Sequence, residues 1–197
     1  MSVLLIAGTL LESSPAGVAL HYIWGVLDGL GEPAEGTSLR QLPDRNSRSA
    51  AEWRKAVAQL HHQIERSRAV ILATPAHNGA LEAALATLMD ALPDHAFQGK
   101  VVLPIVTGNE PRDRFAADAE LRPMLRSKGA KNLLASVHVQ DDETSCDEDG
   151  TIQIAPPLEK RLIGATGDLF TPRRPKASRP AQTLARQSFE RDPDHAA

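Results

Sequence analysis

Three segments of the chain, residues 3–7, 69–73 and 101–106, are apolar without interruption, and they are closed by Gly8, Thr74-Pro75 and Thr107-Gly108. A run with no polar alternation fits a strand covered on both faces, as in a parallel sheet. Residues 132–139 alternate in part, and residues 37–42 are a weaker candidate for a short strand near an edge. Between these runs, apolar residues recur at helical spacing. They are Val18, Tyr22, Ile23, Val26, Leu27 and Leu30 in 15–30, and Trp53, Val57, Leu60 and Ile64 in 50–67. Leu81, Leu85, Leu88, Met89 and Leu92 form a stripe in 81–92; Phe115, Leu121 and Leu125 form another in 112–128. A last helix is expected over about 157–170. Strand and helix alternating in this way predict an α/β protein with a doubly wound sheet.

Composition narrows the class. The chain has 197 residues, 42% of them apolar, which suits one domain with an appendage. The net charge of −3 argues against neutralising nucleic-acid phosphates as the main task. A single cysteine, Cys146, excludes an internal disulfide framework and a thiolate-rich zinc site. No apolar run approaches the roughly 20 residues of a membrane span. The start lacks the basic region of a signal peptide. The expectation is a soluble cytoplasmic protein with neither nucleic acid nor membrane as partner. From residue 171 onward, four prolines and six Lys/Arg accompany few bulky apolar residues. That composition predicts a domain over 1–170 and a disordered, basic, Pro-rich tail over 171–197.

In an open parallel sheet, ligands bind beyond the carboxyl ends of the strands, where strand order reverses. Residues 8–17, 74–83 and 107–115 therefore carry the candidate chemistry. In the first, Ser14 can cap the next helix and Pro15 suits its first position. The same helix start can hold a phosphate through its free N–H groups. Residues 8–17 contain Glu12 and neither Lys nor Arg, so capping and phosphate binding both remain open readings.

The second segment reads Thr74-Pro-Ala-His-Asn-Gly79, then a helix with Asp90 and Leu92-Pro93, then Gln98-Gly-Lys-Val-Val102 and a strand ending in Thr107-Gly108. Asp118, Leu121, Arg122, Pro123 and Leu125 follow. In this order and at these spacings, the set resembles the NADPH-dependent FMN reductase family. It is most similar to the flavin reductases that supply reduced FMN to bacterial sulfonate monooxygenases. The resemblance is close over 69–139, looser over 1–68 and 156–170, and leaves the tail outside.

The resemblance implies a flavodoxin-like fold, a five-stranded parallel sheet of order 2-1-3-4-5 with helices on both faces. It also implies FMN reduction by NADPH or NADH, a homodimer or homotetramer, and a flavin-dependent monooxygenase as acceptor of reduced FMN. Thr9, Ser13 and Ser14 would hold the FMN phosphate, and Pro75, His77, Asn78 and Gly79 the ribityl chain and ring edge. Thr107, Gly108 and Asn109 would meet the pyrimidine end with backbone N–H groups. Hydride passes between stacked cofactors, so no catalytic acid or base and no metal is implied.

Several residues depart from the family pattern. Leu11 and Ser13-Ser14-Pro15 replace a Ser- and Arg-rich loop, and His77 stands in place of Tyr. Asn109 replaces the second Gly of Thr-Gly-Gly, and Ala119 replaces an aromatic residue. They motivate a second reading, a flavodoxin-fold homologue with a degraded flavin site that works by binding a partner. A third reading keeps the flavin and reduces a quinone or azo compound.

Other features carry less. The acidic run 141–150 cannot be an EF-hand loop, because position 12 falls on Pro156. A turn at Asp149-Gly150 is expected instead. Cys146 lies among acidic residues that disfavour its thiolate. His61 and His62 are adjacent on a helix and point to different faces. The Leu81–Leu92 stripe is expected to serve the core or a subunit contact.

Overall fold

The computed structural model describes residues 2–9, 14–43, 50–77, 80–81, 83–147 and 151–171, with backbone alone at His77, Ala80 and Leu81. Strand β1 (Val3–Ala7) pairs in parallel with the edge strand β2 (Ala34–Ser38) on one side and with the central β3 (Ala69–His77) on the other. Beyond β3 lies β5 (Val101–Thr107), and β5 pairs in parallel with β6 (Asn132–Leu133) and β7 (Val137–Val139). A short β4 (Ala80–Leu81) folds back antiparallel on the end of β3. Taking β6 and β7 as one interrupted strand, the major parallel strands run in the order 2-1-3-4-5. The chain reverses direction across the sheet between β1 and β3, so their carboxyl ends flank the switch point.

The apolar runs form strands because both sides of each are buried. Leu4, Ile6, Val70, Leu72, Val102 and Val106 face α2 (Ala50–Arg66), α3 (Ala83–Ala91) and α4 (Pro111–Ser127). Val3, Leu5, Ala69, Ile71, Leu103 and Ile105 face α1 (Pro15–Gly29) and α5 (Pro156–Asp168). Each fully buried Leu or Ile contributes about 1.5–3 kcal/mol relative to exposure, so the two cores fix the register of every strand. In α3, Leu85, Leu88 and Met89, with Leu92 just beyond, face the chain's own core.

Several motif residues prove to be struts. Gly99 adopts a positive φ of 76°. Lys100 then sends its ammonium to the carbonyls of Glu65 and Ser67, at 2.6 and 2.7 Å, closing the end of α2. Arg122 donates to the Leu134 carbonyl and the Ser136 hydroxyl, at 2.9 and 3.0 Å. Ser136 in turn donates to Asp118. These bonds satisfy the backbone where the strand breaks between β6 and β7.

Four expectations need correction. The edge strand is 34–38 rather than 37–42, because Leu39 turns inward in a 3-10 turn over Leu39–Gln41. Helix α3 starts at Ala83; Leu81 belongs to β4, not to the helical stripe. Phe115 is exposed, and Arg114 takes the buried position expected of it. Leu30 also lies exposed, just past the end of α1. In the acidic segment, β8 (Thr144–Cys146) pairs antiparallel with β9 (Ile152–Ile154). The expected turn at Asp149-Gly150 and the tail over 172–197 lie outside the described residues. Among the described residues, no helix is long and apolar enough to cross a membrane.

Candidate functional site

The carboxyl ends of β1, β3 and β5 meet at one rim, and their backbones are in near contact. The Gly8 N–H donates to the Ala73 carbonyl at 2.6 Å. A Cβ on Gly8 would lie 2.9 Å from that carbonyl and 3.1 Å from Thr74 Cβ, so only glycine fits without movement. Thr9 follows, 5% exposed. Ser14 caps α1, its hydroxyl accepting from the Gly17 N–H at 3.2 Å, with Pro15 at the first helical position. Pro15 has no N–H and the Val18 N–H bonds the Ser14 carbonyl. Among the described residues, the Ala16 N–H is thus the donor of the first turn that no bond takes. The cap and phosphate readings of Ser14 are compatible, because its hydroxyl hydrogen stays free to donate.

The second segment touches both others. Thr74 is fully buried, and Pro75 lies opposite Thr107 in the β3–β5 register. The backbone of His77 pairs with Ala80, which leaves Asn78-Gly79 between them. Asn78, Gly79 and Ser13 lie outside the described residues.

At the third segment, Thr107 is 1% exposed and its buried hydroxyl has no hydrogen-bond partner among the described residues. A Cβ on Gly108 would stand 3.2 Å from the Ala76 carbonyl. The Gly108 N–H is already committed, donating to the Val139 carbonyl at 3.1 Å. Asn109 is exposed and does not fill the crevice. The structure therefore brings Thr9, Pro75, Thr107, Gly108 and the backbone of His77 to one rim, with Ser14 at the adjoining helix start and Asn109 at the lip.

Sequence reading missed the polar group behind the third segment. Arg114, 8% exposed, donates from Nη1 to the carbonyls of both Gly108 and Asn109, the latter at 2.9 Å. On β7, His138 lies 3.7 Å from Asp118 and against the Phe115 ring, with centroids 4.8 Å apart. Burial holds the His138 pKa below the usual imidazole value; Arg114 and Arg161 push the same way and Asp118 opposes them. Glu143 accepts from Arg161 at 2.7 and 2.9 Å. Although burial pushes the Glu143 carboxyl up, bonds from Arg161 and the Gln140 N–H bring it below the usual carboxylate value. A signal did exist: 114, 117, 121 and 125 form a better helical stripe than 115, 121 and 125, and an arginine stands in it.

A separate cavity of about 660 Å³ lies beside the rim, between α1 and the β1–β2 pair, and shares Thr9 with it. The Trp24 ring lines it and packs on Gly36, where a Cβ would fall 2.8 Å from the indole.

The model of the NADPH-dependent FMN reductase family matches residues 1–144. An FMN reductase (NADPH) of Escherichia coli K12 is 32% identical over 162 residues, covering 82% of this chain and 84% of that protein. A protein of the same description from Pseudomonas putida is 29% identical, covering 82% and 83%. Among solved structures, an apo NADH:FMN oxidoreductase (EmoB) has a TM-score of 0.64 at 22% identity, covering 85% of this chain and 87% of that one. A flavodoxin of Bacillus cereus has a TM-score of 0.59 at 14% identity, covering 86% and 97%. These two likenesses show the flavodoxin-like fold. The family match over residues 1–144 and the relative at 32% identity establish that the chain belongs to the NADPH-dependent FMN reductase family.

Proposed function

We propose that the chain is an NADPH-dependent FMN reductase that treats FMN as a substrate and releases the reduced form to a flavin-dependent monooxygenase. Family membership supports the reductase activity. The observation that carries its location is the bare backbone at the rim, where a Cβ on Gly8 would stand 2.9 Å from the Ala73 carbonyl and Gly108 combines a tight 3.2 Å approach to the Ala76 carbonyl with a positive φ of 154°. A flat ring lying against main chain needs such positions. The unpartnered Thr107 hydroxyl agrees, because buried polar atoms normally have partners and a ligand can supply one. The residues present thus fit FMN.

When bound, FMN supplies the ring that accepts hydride from the nicotinamide, and the protein supplies orientation and hydrogen bonds. Thr107 and the backbone of 108–110 would hold the pyrimidine end. Pro75 and the β3–β4 backbone would support the ring edge. The Ala16 N–H, the Ser14 hydroxyl and Thr9 would meet the phosphate, helped by the positive end of the α1 dipole. No Lys or Arg occurs in residues 8–17, so a phosphate group with nearly two negative charges has no ion-pair partner there. Such anchoring supports turnover and release over retention, as delivery to a separate monooxygenase requires.

The test is oxidation of NADPH by pure protein, followed at the nicotinamide absorbance with micromolar FMN and repeated with NADH. FMN-dependent turnover, with flavin that dialysis removes, is the expected result. Absence of both turnover and FMN binding would contradict the proposal.

A further inference from the structure

Arg114 sits at the fourth position of α4, where a solvent-facing cation would be ordinary, yet it is 8% exposed. Its Nη1 serves two successive carbonyls, those of Gly108 and Asn109. Its buried Nε has no hydrogen-bond partner among the described residues. A guanidinium stays charged in a protein interior, so its position has to be offset by dipoles or by an anion. Among the described residues, no carboxylate lies within ion-pair distance of it. The nearest candidates are committed elsewhere, Glu143 to Arg161 and Asp118 to Ser136 and His138. Burial keeps the pKa of neighbouring His138 low, so its imidazole adds no charge beside Arg114 at neutral pH, and Arg161 is paired with Glu143.

The two carbonyl bonds have a geometric consequence. A peptide unit is planar and trans, so its N–H points opposite to its C=O. Pulling the Gly108 and Asn109 carbonyls toward Arg114 turns the N–H groups of Asn109 and Glu110 away from it. Neither N–H donates to a backbone carbonyl among the described residues. The Gly108 N–H cannot serve, since Val139 holds it.

We propose that Arg114 is the positioning residue of the flavin site: by clamping the Gly108 and Asn109 carbonyls it aims the Asn109 and Glu110 N–H groups at the pyrimidine end of FMN, and it keeps an unpaired positive charge behind that end. The proposal rests on the flavin-reductase reading. Reduced FMN carries its negative charge at the pyrimidine end, so the clamp favours the reduced form over the oxidised one. Asn109 then replaces glycine without harm, because its backbone donates and its side chain stays outside.

The test compares the affinities of oxidised and reduced FMN for the wild type, Arg114→Lys and Arg114→Met, by fluorescence quenching under air and under anaerobic conditions. Arg114→Met should weaken oxidised FMN about tenfold and reduced FMN about a hundredfold, since an aimed N–H and a nearby buried charge each count for about a factor of ten. Arg114→Lys keeps the charge on a chain one bond too short to reach both carbonyls as Nη1 does, so it should lose affinity for both forms while retaining the wild-type ratio between them. A strut without a role in flavin binding would change thermal stability and leave the ratio of the two affinities unmoved. An unchanged ratio in Arg114→Met overturns the proposal. If Arg114→Met does not fold, wild-type affinity for both forms in Arg114→Lys overturns it alone. If the wild type binds no FMN at all, the flavin-reductase reading falls with it.

Discussion

The two ends of the rim are built differently. The third segment is braced by several groups: Val139 takes the Gly108 N–H, Arg114 takes two carbonyls, and the Ala76 carbonyl closely approaches the place of a Gly108 Cβ. The first segment meets the sheet at Gly8, the Ser14 hydroxyl caps the helix that follows, and residues 8–17 contain no Lys or Arg. Rigid backbone suits recognition of a flat ring, whose hydrogen-bonding edge has one correct orientation. A phosphate is close to symmetric and tolerates looser hydroxyl and N–H partners. Under the proposed function, that difference would let one site discriminate at the ring end while a phosphate at the other end finds no ion-pair partner in residues 8–17.

The largest expected effect comes from closing the shared backbone cradle. Gly8→Val should lower stability by about 1–3 kcal/mol through overpacking against Ala73 and Thr74, and should abolish FMN binding. Urea unfolding and FMN titration read the two losses separately. Gly108→Ala, with its milder contact to Ala76, should weaken FMN and riboflavin alike by about tenfold, or roughly 1.4 kcal/mol. Ser14→Asp acts at the other end. Aspartate remains a good cap, so stability should hold, while repulsion of the phosphate should weaken FMN several-fold and leave riboflavin unchanged. Equal losses for both flavins in Ser14→Asp would erase the distinction between the ends.

The smallest effect concerns pH. The folded protein holds His138 neutral at pH values where the unfolded chain begins to bind a proton. Stability from this group is therefore present above the unfolded value of about 6.5 and is lost as pH falls toward the lower folded value. His138→Gln should flatten that part of the acid-side decline in the urea midpoint, compared between pH 7 and 5. An unchanged slope would mean that burial of the ring does not set its protonation.

Much of the scaffold was legible because uninterrupted apolar runs and helical stripes have one cheap solution, a sheet covered on both faces. Residues 3–7, 69–73 and 101–106 needed no tertiary knowledge. The edge strand was misplaced because Ser38 and Leu39 look like a continuing strand; a buried Leu39 in a turn leaves no periodic trace. The rim positions Gly8, Thr107 and Gly108 could be found since glycine and threonine end strong strands there. Arg114 could not be assigned a role, because its partners are main-chain carbonyls, and no residue type marks a carbonyl that needs a donor. Lys100 and Arg122 carried the family likeness, yet they tie off helix and strand ends rather than touch the crevice. A motif residue can thus mark a family through its scaffold.

The most direct measurement is a crystal structure of the protein with FMN bound. The isoalloxazine should lie between the β3–β4 turn and residues 107–110, its pyrimidine edge on the Asn109 and Glu110 N–H groups and its phosphate near Ser14 and Ala16. A ring seated instead in the cavity between α1 and β2, stacked on Trp24, would contradict the account.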